Sequence, residues 1–201
     1  MSSPAKLNFF DEVIDSPLLN DEMKKLFHRH VAQLLYVTKR FRFDCLLAVN
    51  VLCSKVQSPT ESDDANLDRV YKYLIETQTK FICMKRGGKL NPRLYIDASF
   101  GCHPGGLSRT GVVLWMAGAC VGAWTSRQNI VTKSSTEAEL VGLTDGSGHG
   151  IWARNWLIRQ GFSPFTLVIY QDNQSVIALT ACDGGPSQRT KHIGIKYFYI
   201  R

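Results

Sequence analysis

Residues 93–99 read Arg-Leu-Tyr-Ile-Asp-Ala-Ser, "RLYIDAS", an apolar strand pattern with one aspartate, Asp97, set inside it. Two more apolar or alternating runs follow, "TGVVLWMAG" (110–118) and "CVGAWTS" (120–126), separated by a glycine-containing break. Three strands in succession predict an antiparallel meander. "KSSTEAEL" (133–140) then starts a helix, and "GIWARNWLIRQGF" (150–162) reads as a helix with Ile151, Trp152, Trp156 and Leu157 on one side. "FTLVIYQDNQS" (165–175) reads as a buried strand running into a helix N-terminus, and "SQRTKHIGIKYFYIR" (187–201) as a closing helix. The order β-β-β-α-α-β-α predicts an α/β domain with a mixed sheet. Between the first two helical stretches lies "GLTDGSGHG" (142–150). Each of its glycines costs a helix on the order of 1 kcal/mol relative to alanine, so a break is expected near Thr144.

Upstream of the strands the pattern changes from period two to helical period. Met23, Leu26, Phe27, His30, Val31, Leu34 and Leu35 recur at three and four, as one buried stripe does. Cys45, Ala48, Val49, Leu52, Cys53 and Val56 make a second stripe, and Leu67, Val70, Tyr71, Leu74 and Ile75 a third. Thr60 with Asp63 three residues later supplies an N-cap before that third helix. His28 and His30 read as a surface residue and a stripe residue. The Gly-Gly and Pro of "MKRGGKLNP" (84–92) mark a turn or linker between this helical part and the strands.

Composition narrows the class. The chain has 201 residues and 44% hydrophobic content, enough for a folded domain plus a smaller one. A formal charge of +7 and a pI near 9.2 fit an anionic partner such as nucleic acid. Acidic residues are scarce over 91–201, where six Asp/Glu stand against ten Lys/Arg. The six cysteines show no Cys-x-x-Cys and no histidines at zinc-ligand spacing, which predicts reduced, mostly buried thiols. No apolar run reaches membrane-spanning length and no signal peptide is recognisable, so an intracellular protein with no membrane partner is expected.

Against that background the carboxylates stand out. Asp97 lies within one apolar strand and Asp172 at the end of another, and an unpaired buried carboxylate costs several kcal/mol. Each alone reads equally well as a turn cap. Glu137 and Glu139 sit two residues apart, about 200° around a helix, so only one of them can face a given site. With Ser134 as N-cap, Glu137 falls at the third helical position and completes a capping box through the backbone N–H of the cap. Glu139 is then free to join Asp97 and Asp172 at one end of the sheet. Hard oxygen ligands of this kind suit Mg²⁺ or Mn²⁺, which support phosphodiester cleavage.

"LYIDASF", "TGVVLWMAGACVGAWTSRQNIVTKSSTEAELVGL", "IYQDNQSVIAL" and "RTKHIGIKYF" resemble the ribonuclease H domain at the end of the polymerase polyprotein of copia-type LTR retrotransposons. Residues 16–63 are similar to the helical tail of the reverse transcriptase of such elements. The resemblance implies a ribonuclease H-like fold that cuts the RNA strand of an RNA/DNA hybrid with Mg²⁺ or Mn²⁺. By position it implies Asp97, Glu139 and Asp172 as catalytic metal ligands, because the family glutamate directly precedes an apolar helix residue, here Leu140. The order Asp, Glu, Asp argues against a transposase or integrase on the same fold. The implied organisation is a reverse-transcriptase tail over 1–86, a linker over 87–92 and a ribonuclease H-like domain over 93–201, truncated at its C-terminus. The family's fourth ligand, in an Ala-Asp-x-x-Thr-Lys motif, has no counterpart here. The implied partners are an RNA/DNA hybrid and the remainder of the retrotransposon polymerase, in a cytoplasmic virus-like particle or the nucleus.

Substrate contacts follow from chemistry. Lys133, Ser134, Ser135 and Thr136 at a helix N-terminus suit a backbone phosphate. Arg127, Gln128, Asn173 and Gln174 suit the minor groove and the 2′-hydroxyls of RNA, and His192 a phosphate. Each also reads as a cap or a solvated loop residue. The polymerase pattern Tyr-x-Asp-Asp is absent, so nucleotide polymerisation by this chain alone is not expected. The competing expectations are a non-catalytic nucleic-acid-binding remnant lacking the fourth carboxylate, and a helical interaction module without salt-sensitive hybrid binding.

Overall fold

The computed structural model describes residues 2–6, 9–10, 15–84, 90–162 and 166–181. It divides into two compact units, Met1–Ile82 and Cys83–Arg201. The closing helix expected over 187–201, with His192, lies outside the described residues, as does most of the Gly-Gly linker.

The first unit is helical. Helix α1 (Asp21–Thr38) is capped by Asn20, whose side chain accepts the Met23 N–H at 2.9 Å. A 3₁₀ turn over Phe43–Cys45 leads into α2 (Leu46–Lys55), and α3 (Glu61–Glu76) begins with the expected capping box between Thr60 and Asp63. Phe27, Val31, Leu34, Val49, Leu52 and Val70 meet in one core. The stripes differ from expectation at their ends. Met23, Leu26 and Ile75 are exposed, and Tyr73 is buried in place of Ile75. Tyr73 turns inward because its hydroxyl donates to Asp44 at 3.0 Å. His30 packs edge-on against the Tyr71 ring, with centroids 5.7 Å apart.

The second unit is α/β. Strands β1 (Arg93–Ser99), β2 (Leu107–Met116) and β3 (Ala119–Val131) form the expected antiparallel meander. The β2–β3 connection is a two-residue turn in which Ala117 and Gly118 both take positive φ, 52° and 78°, matching the twist of a tight hairpin. Strand β4 (Val168–Tyr170) pairs parallel to β1, giving the order β3-β2-β1-β4. This mixed sheet with flanking helices, preceded by a small helical unit, is consistent with a ribonuclease H-like fold. Strand β4 is not buried as its apolar sequence suggested. Val168 and Tyr170 are 39% and 42% exposed, with Tyr170 stacked on Tyr95 at 4.6 Å.

Helix α4 (Ser135–Arg159) overturns the expected break near Thr144 and joins the two predicted helices into one. The glycines explain why. Gly142, Gly146 and Gly150 recur every four residues, so they share one face, and that face lies on the sheet. A Cβ on Gly146 would come within 2.8 Å of Val112 Cγ2, and one on Gly150 within 2.8 Å of Leu167 Cδ1. Bare backbone thus lets the helix approach closely, and burial of the sheet face compensates for poor intrinsic propensity. Leu140, Leu143 and Ala153 pack with Leu94, Ile96, Val112 and Leu114 in the core of this unit. The tryptophans expected on one side with Leu157 are exposed, Trp152 at 63% and Trp156 at 47%, whereas Leu157 is buried. Their face is turned outward because Gly150, Ala153 and Leu157 take the inner positions. Helix α5 (Gln174–Ala181) closes the described fold.

Candidate metal centre

Topology brings three carboxylates together. Strands β1 and β4 are parallel with Tyr95 opposite Tyr170, so two residues further along both chains Asp97 and Asp172 emerge at the same end of the sheet. Strand β3 reaches that end too, being two antiparallel steps from β1, and α4 starts directly after it. Along α4 the contacts of Gly142, Gly146 and Gly150 descend from Ala98 to Ile96 to Leu94, so the helix runs antiparallel to β1. One turn before Gly142 stands Glu139. One carboxylate oxygen from each of Asp97, Glu139 and Asp172 lies within 4.8 Å of the others.

The three are not equivalent. Asp97 and Asp172 are exposed, whereas Glu139 is only 6% exposed and forms the floor of the cluster. Burial pushes the Glu139 carboxyl above its ordinary value, and the neighbouring carboxylates of Asp97 and Asp172 push the same way. The Gln171 amide and the Ala98 backbone N–H oppose this by hydrogen bonding to it. Among the described residues none of the three carboxylates has an ion-pair partner. Like charges held this close are relieved by a proton or a cation, and an all-oxygen donor set open to solvent on the aspartate side fits a hard divalent ion.

Glu137 is separated from this cluster by its cap role. Ser134 Oγ accepts the Glu137 N–H at 3.2 Å, and the Glu137 carboxylate accepts the Lys133 backbone N–H at 2.7 Å. That return bond goes to the residue before the N-cap, one position earlier than a standard capping box places it.

The proposed substrate contacts sort by exposure. Arg127 is exposed at the end of β3 and pairs across the sheet with Arg109. Lys133, Ser134 and Ser135 are exposed and Thr136 half-buried at the start of α4, on the carboxylate side of the sheet. Asn173 accepts the Val176 N–H at 3.2 Å at the start of α5, as a cap does, and Gln174 is exposed. Gln128 departs from the expected substrate contact. It is 2% exposed and its amide donates to Thr110 Oγ1 and to the Ala138 carbonyl, pinning β3 to β2 and to α4. A side chain so enclosed cannot reach a substrate groove.

Two features escaped the sequence. Gln171, next to Asp172, holds Glu139 through its amide; only adjacency to an aspartate hinted at it. Arg109, 6% exposed, donates through Nε to His103 Nε2 at 2.9 Å and through a terminal nitrogen to Thr125 at 3.1 Å. A strand arginine gives no such signal, because its partners come from a loop and a different strand.

Comparison with known proteins finds similarity to transposon polyproteins over most of the chain. It is 30% identical over 85% of its length to the Retrovirus-related Pol polyprotein from transposon TNT 1-94 of Nicotiana tabacum. To that from transposon RE1 of Arabidopsis thaliana it is 32% identical over 80% of its length. To the Transposon Ty1-JR2 Gag-Pol polyprotein of Saccharomyces cerevisiae it is 23% identical over its full length. The chain spans only 11–13% of the length of these relatives. No family model matches it. No solved structure matches it either. No helix among the described residues is long and apolar enough to cross a membrane.

Proposed function

We propose that this chain is the ribonuclease H region of a retrotransposon polymerase, preceded by a reverse-transcriptase tail, and that it cleaves the RNA strand of RNA/DNA hybrids with Mg²⁺ or Mn²⁺. The observation that carries the reading is the convergence of Asp97, Glu139 and Asp172 within 4.8 Å. Similarity to transposon Pol polyproteins over most of the chain supports it. Asp97, Glu139 and Asp172 would hold the ion. When bound, such an ion offsets phosphate charge and supplies an activated water.

The chain's own residues then have distinct tasks. The exposed aspartates leave one side of the cluster open for a scissile phosphate, and buried Glu139 fixes its floor. Lys133 and the free N–H groups at the start of α4 offer a neighbouring backbone phosphate a cation and donors. Arg127 extends that positive edge along β3. Contacts of this kind set register on the hybrid without reading sequence.

The test is a labelled RNA/DNA hybrid incubated with the chain and Mg²⁺ or Mn²⁺. Wild type is expected to cut the RNA strand, and Asp97→Asn to lose at least a hundredfold in rate. Wild type cutting no faster than Asp97→Asn contradicts the enzyme reading. Salt-sensitive hybrid binding without cleavage would instead favour a binding role.

A further inference from the structure

Gln171 follows β4 directly and touches two of the three carboxylate positions at once. Its Nε2 donates to Glu139 Oε2 at 3.1 Å. Its Oε1 accepts the backbone N–H of Asp172 at 2.8 Å and of Asn173 at 3.1 Å. Two backbone donors on the oxygen fix which end of the amide is which, so Nε2 must be the end facing Glu139. One side chain therefore ties a helix carboxylate to the backbone that carries a strand-end carboxylate.

Such a tie is needed here. Glu139 is 6% exposed, and Asp97 and Asp172 repel it. Without Gln171 the carboxylate would keep only the Ala98 N–H to oppose that repulsion. We propose that Gln171 is a positioning residue for the metal centre, orienting Glu139 toward Asp97 and Asp172 and setting the Asp172 loop at the same time. This rests on the metal-centre reading above. A carboxylate oxygen can accept a hydrogen bond and still bind an ion through its remaining lone pair, so the amide supports the ligand without displacing it. Outer partners of this kind typically govern metal affinity by 10–100-fold.

The experiment measures Mn²⁺ affinity of the full chain from the disappearance of the free-ion paramagnetic resonance signal, alongside thermal melting. Gln171→Leu removes both arms; Gln171→Asn keeps an amide but is one methylene too short to span them. Both variants are expected to weaken Mn²⁺ binding about tenfold or more. If Gln171→Leu does not fold, Gln171→Asn decides alone. Wild-type Mn²⁺ affinity in a folded Gln171→Asn overturns the proposal. Asp97→Asn serves as the reference: if it too leaves Mn²⁺ affinity unchanged, the metal centre itself fails, and if it alone weakens binding, only the role of Gln171 fails. A tenfold loss of affinity at unchanged melting temperature is the signature that a merely structural glutamine would not give.

Discussion

In the helical unit, Arg42 and Asp44 meet two to two, with Arg42 Nε and a terminal nitrogen donating to the Asp44 oxygens at 3.0 and 2.9 Å. The same guanidinium donates to Thr77, and Tyr73 and Lys80 complete the group. In the α/β unit, Asp97, Glu139 and Asp172 bring together three charges of one sign, helped by an amide and a backbone N–H. The first cluster closes on itself and fastens the end of α3 to the turn before α2. The second has donors for partial relief and, among the described residues, none for neutralisation. Opposite charges arranged to satisfy each other serve stability, whereas like charges arranged to converge point outward to a ligand.

The contrast can be broken by substitution. Asp44→Asn leaves Arg42, 6% exposed, without its counter-charge and should destabilise the helical unit by about 2–3 kcal/mol. Amide hydrogen exchange is expected to speed up in α1 to α3 and stay unchanged in the strands. Slowed or unaltered exchange in the helices would mean that the cluster is incidental.

A second test separates the ways in which the two units pack their helices. In the helical unit side chains fill the interface, but α4 reaches its sheet through glycine. Gly146→Ala pushes a methyl to within 2.8 Å of Val112 and should cost about 1–3 kcal/mol. Gly148 meets nothing within 4 Å, so Gly148→Ala should stabilise by about 0.5–1 kcal/mol. Denaturant titration reads both, and equal signs would refute the close-approach account.

The smallest expected effect is on pH, and its sign differs between the units. Burial raises the Asp44 carboxyl, but the Arg42 and Tyr73 hydrogen bonds together with the charges of Arg42 and Lys80 leave the group below its ordinary value of 3.8. That stabilisation is full above the ordinary value and is lost as pH falls through the depressed one. Glu139 lies above its ordinary value of 4.5, mainly through burial. Its contribution is full below 4.5 and is lost as pH rises through the raised value. Acid should therefore loosen the helical unit while relieving the metal-free α/β unit near α4, as segment-resolved exchange would report.

Much of this was legible in the residues. Apolar or alternating runs around a glycine-containing break indicate the meander, and Thr60 with Asp63 marks α3. Asp97 and Asp172 stand out as charges in apolar strand patterns, although both prove exposed, and Glu139 follows from the cap role of Glu137 and from the family resemblance. Helix α4 was misread because propensity counts each glycine as a loss, without seeing that Gly142, Gly146 and Gly150 share the sheet-facing side. Gln128 looked like a surface donor because exposure of a strand residue depends on what packs over it, here the start of α4. Gln171 was silent because its role lies in a bond spanning 32 residues of sequence.

On the proposed reading Glu139 serves a metal and Glu137 caps a helix, although the two stand two residues apart in one buried turn. Mn²⁺ titration of Glu139→Gln and Glu137→Gln tests this most directly. Glu139→Gln is expected to lose at least a hundredfold in affinity, while Glu137→Gln, which can still accept the Lys133 N–H, should stay within about threefold of wild type. Equal losses in the two variants, or none in either, would contradict the account.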